Sequence, residues 1–213
     1  NANITLLIAH PDDEAMFFSP TILSLSPKNH IRILCLSSGN ADNLGAIRKH
    51  ELVASGRVLG VRGEDVIVVE DVLLPDSMNT TWPAETVAGY LRLNAGGSDV
   101  VVTFDEGGVS GHPNHISLLY GAREFIQGSK RRLFTLTSVG LARKYLSILD
   151  WPMTRMMNGG EGKGWVFVNS PRQVRVAQRA MTDAHKSQMR WFRWGWIGLS
   201  RYMVVNDLRE EKV

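Results

Sequence analysis

Two short clusters of histidine and carboxylate set what chemistry this chain can do. His10-Pro11-Asp12-Asp13-Glu14 follows an apolar run, and His112-Pro113-Asn114-His115 lies about a hundred residues further on. Metal-assisted hydrolysis needs neutral imidazole and carboxylate ligands, an open coordination position and a separate acid/base group. A histidine at a strand end and a carboxylate three residues on, at a helix start, can converge where the chain turns sharply. Asp12 and Asp13 cannot occupy the same place, so one can ligate while the other faces a bound water. His112 and His115 stand at i and i+3 of an expected helix start and can share one face. Alone, the first cluster reads more simply as helix capping plus surface charge, and the second as a polar loop. Together they point to a metal-dependent hydrolase.

The elements around them decide whether the two clusters can meet. Ile4-Thr5-Leu6-Leu7-Ile8-Ala9 is a continuous apolar run ended by His-Pro, the pattern of a buried parallel strand. A helix is expected over 13–25, a strand over 31–36, a helix over 44–59 closed by Gly60, a strand over 66–69, a helix over 83–93 and a strand over 100–104. Such alternation predicts a three-layer, Rossmann-like α/β fold, a mainly parallel sheet with helices on both faces. Ligands then bind beyond the carboxyl ends of the strands. His10 follows the first strand and the 105–112 loop follows the fourth, so both clusters fall on one rim. The second half is less regular: a helix over 113–127, a strand over 133–139, a glycine-rich loop over 159–164, a short strand over 165–168 and a helix over 171–184. With no repeat, low-complexity tract or linker, residues 1–213 are expected to form one domain.

Composition excludes little but biases the partner. The single cysteine, Cys35, rules out a disulfide framework within the chain. No apolar stretch approaches the ~20 residues a membrane-spanning helix needs; the chain opens on Asn1, and the expectation is an upstream segment, with a membrane anchor a candidate for it. Residues 1–120 carry 7 basic and 14 acidic side chains, whereas 121–213 carry 17 and 7 together with five of the six tryptophans. A basic, Trp-rich surface suits a phosphate-bearing lipid or a nucleic acid. The segment 189–199 (MRWFRWGWIGL) interleaves both residue types, and core packing, interfacial membrane contact and base stacking compete for it.

The segments 9–18, 36–42 and 103–115, with 184–192 and 200–203, resemble the LmbE-like/PIG-L family of zinc de-N-acetylases, specifically its branch acting on N-acetylglucosaminyl-phosphatidylinositol. The resemblance covers nearly the whole chain. It implies that His10, Asp13 and His115 bind zinc, that Asp12 is the general base, and that a protonated His112 assists the tetrahedral intermediate or leaving amine. Where other branches carry a tyrosine this chain has Ser110, leaving zinc and His112 to carry more of the oxyanion. Arg48, which by spacing alone would pair with Glu51, is brought near the substrate by the same resemblance, and His185 near the pocket. Asn40, Asp42 and Asp105 are expected in rim loops where they could bind sugar hydroxyls. Two histidines and a carboxylate also accept Fe2+ or another divalent metal. The implied substrate is phosphatidylinositol-linked N-acetylglucosamine at an anionic membrane surface, on the cytoplasmic face of the endoplasmic reticulum, in GPI-anchor biosynthesis, with no nucleic acid. A soluble de-N-acetylase of chitooligosaccharides or thiol glycosides is the nearest alternative, and a non-catalytic sugar–phosphate binding module the alternative of another class.

Overall fold

The apolar runs become the middle of one seven-stranded sheet. In the computed structural model, which describes residues 1–157 and 164–212, the strands are β1 (Asn3–Ile8), β2 (His30–Cys35), β3 (Val66–Val68), β4 (Val100–Phe104), β5 (Arg132–Leu136), β6 (Trp165–Val168) and β7 (Val205–Glu211). Residues 159–163 of the expected glycine-rich loop lie outside the described residues. The sheet order is β3-β2-β1-β4-β5-β7-β6. β1 pairs in parallel with β2 (Leu6 opposite Ile33) on one side and with β4 (Leu6 opposite Val102) on the other. Each central strand is covered on both faces, which is why β4 is buried at every position and reads as an unbroken apolar run.

The helices are α1 (Asp13–Phe17), α2 (Ser19–Leu25), α3 (Gly45–Val58), α4 (Ala84–Asn94), α5 (Gly108–Gly111), α6 (Pro113–Ile126), α7 (Leu141–Lys144), α8 (Trp151–Met157), α9 (Pro171–Arg179) and α10 (Trp191–Leu199). α4 packs on α6, while α3 and α2 pack against α9 and the turn that follows it. Within α6, Gly121 has no room for even a Cβ, which would run into Val87 of α4; that close approach seats the helix carrying His115.

Two expected helices change, and one strand comes without an expectation. The helix expected over 13–25 breaks at Phe18 (φ −114°), because Pro20 has no amide to continue the ladder and instead takes a place in the first turn of a new helix. The helix expected over 171–184 is α-helical only to Arg179 and ends in a wide π turn over Ala180–Ala184. β7 had no sequence expectation. It inserts antiparallel between β5 and β6, and its Asn206 and Asp207 hide its apolar signal. Those two side chains are buried against partners: Asn206 bonds Thr21 and the Phe17 carbonyl, and Asp207 pairs with Arg201 at 2.7 Å.

Candidate metal centre and active site

The order 3-2-1-4-5 of the parallel strands reverses direction between β1 and β4, and a crevice opens there at the strands' carboxyl ends. His10 leaves β1 into it, Asp13 begins α1, and His112 and His115 stand at the N-cap and first turn of α6. His10, Asp13 and His115 come together with one potential ligand atom each, all within 4.8 Å of one another. Asp13 Oδ2 accepts from the amides of Ala9 (3.0 Å) and His10 (2.9 Å), which points Oδ1 at His115 Nε2, 3.3 Å away. Burial opposes its charge, but His115, His10 and those amides outweigh burial and hold the Asp13 carboxyl well below the usual range.

This donor set fits a divalent cation. His115 Nδ1 lies 3.1 Å from the Gly108 carbonyl, which fixes the ring proton there, and Nε2 is buried with no hydrogen-bond partner among the described residues. A ring held by its far nitrogen with its near nitrogen unsatisfied is how proteins prepare a metal ligand. His10 presents Nδ1 to Asp13 at 3.9 Å while its Nε2 meets Asp76 at 3.2 Å. Asp76 had no place among the expected site residues; His10, Asp76 and His112 form a second overlapping group of potential ligands. No spacing rule links positions 10 and 76, so only the fold reveals it.

Asp12 sits beside the ligand cluster rather than within it. Its backbone adopts φ 133°, a conformation unfavourable for a residue with a side chain and held at a cost of order 1–3 kcal/mol. Its amide donates to Glu14 Oε2 (3.2 Å), while its Oδ2 lies 2.8 Å from Arg193 and 3.5 Å from Arg48 without a well-formed hydrogen bond. Two arginines therefore face this oxygen while leaving a lone pair unused.

His112 differs from expectation. Burial first, then the nearby His115 and His10, push its pKa down to about 4, so its resting imidazole is neutral rather than protonated. Its Nδ1 accepts from the Asn114 amide (3.2 Å), which leaves the proton on Nε2 as a donor. Ser110 also lines the crevice; its Oγ accepts from Lys144 Nζ (3.2 Å), freeing the hydroxyl proton to point elsewhere.

The crevice, about 240 Å³, is lined by His10, Asp12, Asp13, Arg48, Asp76, Ser110, His112, His115, Gln188 and Arg193. Arg48 is buried and anchored to the carbonyls of Gly39 and Pro11, each at 2.7 Å. Gly39 (φ 66°) is required there, since a Cβ would strike the guanidinium. The structure does not bring four other expected substrate contacts into the crevice. Asn40 lines an adjoining cleft of about 270 Å³ that shares Asp76. Asp42 is exposed and paired with Arg190 at 2.9 Å. Asp105 is occupied by the Ser138 amide and hydroxyl and the Gly107 amide, shaping the loop before α5. His185 is fully buried, its Nε2 2.6 Å from Glu14 Oε1. Glu14 thus joins His185 and Ser55 (2.5 Å) to the Asp12 amide. Burial opposes protonation of His185, but Glu14 raises its pKa nonetheless. Arg193 and Gln188 entered the site unannounced, because nothing in an aromatic-basic run says which arginine turns inward.

Fold and site define a class: α/β proteins with a two-histidine, one-carboxylate ligand cluster at the sheet's switch point. Within it, residues 5–126 match the PIG-L family, described as GlcNAc-PI de-N-acetylase, and the chain belongs to that family. It is 41% identical over 295 residues to the N-acetylglucosaminyl-phosphatidylinositol de-N-acetylase of Arthroderma benhamiae, covering all of this chain and 88% of that protein. It is 44% identical to the Bos taurus enzyme of the same name, over 96% of this chain and 82% of that one. The fold is like that of N,N'-diacetylchitobiose deacetylase from Pyrococcus horikoshii, with TM-score 0.66 and 18% identity over 99% of this chain and 84% of that one. It is also like the zinc-inhibited teicoplanin deacetylase Orf2, with TM-score 0.63 and 11% identity over 99% of both chains.

Proposed function

We propose that this chain removes the acetyl group from N-acetylglucosamine linked to phosphatidylinositol, with zinc as its metal and residues 1–213 as one catalytic unit. The products are acetate and glucosaminyl-phosphatidylinositol, and the place of work is the cytoplasmic face of the endoplasmic reticulum, in GPI-anchor biosynthesis. Family membership and the relatives' names support the substrate. The observation that carries the chemistry is Asp12, a buried carboxylate flanked by two arginines beside a separate triad of potential ligands.

His10, Asp13 and His115 would hold the metal, which supplies Lewis acidity by polarising the amide carbonyl and lowering the pKa of water. Asp12 accepts the proton of the attacking water as its oxygen bonds to the carbonyl carbon. Neutral His112 donates from Nε2 to the carbonyl oxygen as negative charge develops there, with Ser110 a second donor on the same side. When the C–N bond breaks, Asp12 returns its proton to the departing nitrogen, so one carboxylate serves as base and then acid. Arg48 and Arg193 flank the Asp12 carboxylate and fix its place beside the ligand group.

The test is acetate release from N-acetylglucosaminyl-phosphatidylinositol in mixed micelles, with chelation and with zinc or Fe2+ added back. Chelator-sensitive release that zinc restores best supports the reading. Equal release from the headgroup lacking diacylglycerol would favour a soluble-sugar substrate. Glycolipid binding without any release would leave a binding module.

A further inference from the structure

The aromatic-basic segment is divided between the pocket and solvent. On α10, Arg193 reaches Asp12, Trp196 stacks on Tyr202 and Ile197 is buried. At 100° per residue these three share one side of the helix. The opposite side carries Trp191 (86% exposed), Phe192, Trp194 and Leu199, all exposed, around Gly195 and Gly198, where an added Cβ would meet nothing. Core packing therefore accounts for the inner side of this helix only. Exposed large apolar side chains in a contiguous group mark an interaction surface.

What covers that surface is indicated by its neighbour. α9 packs beside α10, with Gln178 Nε2 donating to the Ile197 carbonyl (3.2 Å) and a shallow cavity of about 390 Å³ between Arg175, Arg179 and Trp194. Arg172, Arg175 and Arg179 stand at i, i+3 and i+7, one face of α9, all exposed. Among the described residues none of the three has an ion-pair partner, so their charge is free for an external anion. A row of tryptophans beside a row of unpaired arginines matches the two layers of a bilayer surface, aromatic rings at the headgroup boundary and cations at the phosphates. Single-stranded nucleic acid would want aromatics and cations tracking one continuous groove; here the shared cavity takes in Trp194 alone of the exposed aromatics, and Trp191 and Phe192 stand outside its lining.

We propose that the outer face of α10, with the arginine row of α9, docks this protein on a bilayer containing anionic phospholipid. The inference rests on the lipid-linked substrate proposed above, and it ties docking to catalysis through one helix. The residues that would enter the interface and the arginine that holds Asp12 are neighbours on α10, so the crevice is held near the surface from which a headgroup must be taken.

The test is co-sedimentation of the whole chain with vesicles of phosphatidylcholine alone and of phosphatidylcholine doped with phosphatidylinositol. Three arginines near an anionic surface should raise affinity for the doped vesicles roughly 100-fold. Arg172→Glu/Arg175→Glu/Arg179→Glu should erase that preference, and Trp191→Ala/Trp194→Ala should weaken binding to both vesicles about tenfold or more. Acetate release from the headgroup lacking acyl chains, and the melting temperature, should stay at wild-type values in both variants. No binding of the wild-type chain to doped vesicles, or binding unchanged by both variants, overturns the proposal, as does retention by single-stranded RNA that doped vesicles fail to compete. Release from mixed micelles without vesicle binding would sink the docking face and spare the catalytic reading; vesicle binding without release would do the reverse.

Discussion

At the scale of single residues, the site depends on a strained backbone held by buried charge. Asp12 stays at φ 133° because Glu14 takes its amide and Glu14 is itself fixed by His185 and Ser55. Asp12→Asn keeps the shape and removes the proposed base, so kcat should fall about 10²- to 10⁴-fold while metal content, read by elemental analysis, stays at wild-type level. His115→Ala should do the opposite in that assay and lose the metal, since its Nε2 is the unsatisfied atom of the cluster. Glu14→Ala strands a buried His185 whose pKa Glu14 raises against burial, and should cost about 3–5 kcal/mol in denaturant unfolding. Ser55→Ala, which leaves the Asp12 clamp intact, should cost about 1 kcal/mol and leave kcat alone. Equal loss of kcat in the two variants would show that Glu14 does nothing specific for Asp12.

At the scale of elements, helices and strands are tied by contacts distant in sequence. Arg201 lies between Asp150 (2.9 Å) and Asp207 (2.7 Å), fully buried, joining the turn before α8 to β7. Arg201→Ala would leave buried carboxylates without that cation, and a stability loss of about 3–5 kcal/mol is expected by chemical denaturation. Asp65, just before β3, accepts from His30 of β2 (2.9 Å) and Arg62 (2.7 Å). Burial opposes its charge, but those hydrogen bonds win and its pKa is lowered from 3.8. A depressed folded-state pKa gives stability that is present above the unfolded value and lost as pH falls through the folded one. Melting curves of Asp65→Asn should therefore lie below wild type at neutral pH and converge with it as the pH falls below the unfolded carboxylate value and through the lowered folded-state one.

At the scale of the whole molecule, the candidate ligands follow β1 and open α1 and α6, so a metal bound there would bridge segments a hundred residues apart. A cation that binds only the folded chain stabilises it by mass action, about 4 kcal/mol at a thousandfold excess over Kd. Chelation should lower the melting temperature, zinc should restore it, and His115→Ala should be indifferent to both. Among the described residues no helix is long and apolar enough to cross a membrane.

The grouping of His10, Asp13 and His115, with Asp12 beside it, and the central sheet were legible in the sequence because each is local: an apolar run fixes a buried strand, and a motif at its end inherits that strand's address. β7 was not legible, since its polar residues are satisfied by partners far along the chain. Asp76 and Arg193 became site residues only when loops and helices folded over the crevice. His185 moved from the pocket to the support behind Asp12 for the same reason, and α10 could be divided into an inner and an outer face only once its neighbours were in place. Sequence determines which chemical groups are available and which strand end they ride on. Direction, burial and partner are set by packing, because they depend on what arrives from elsewhere in the chain.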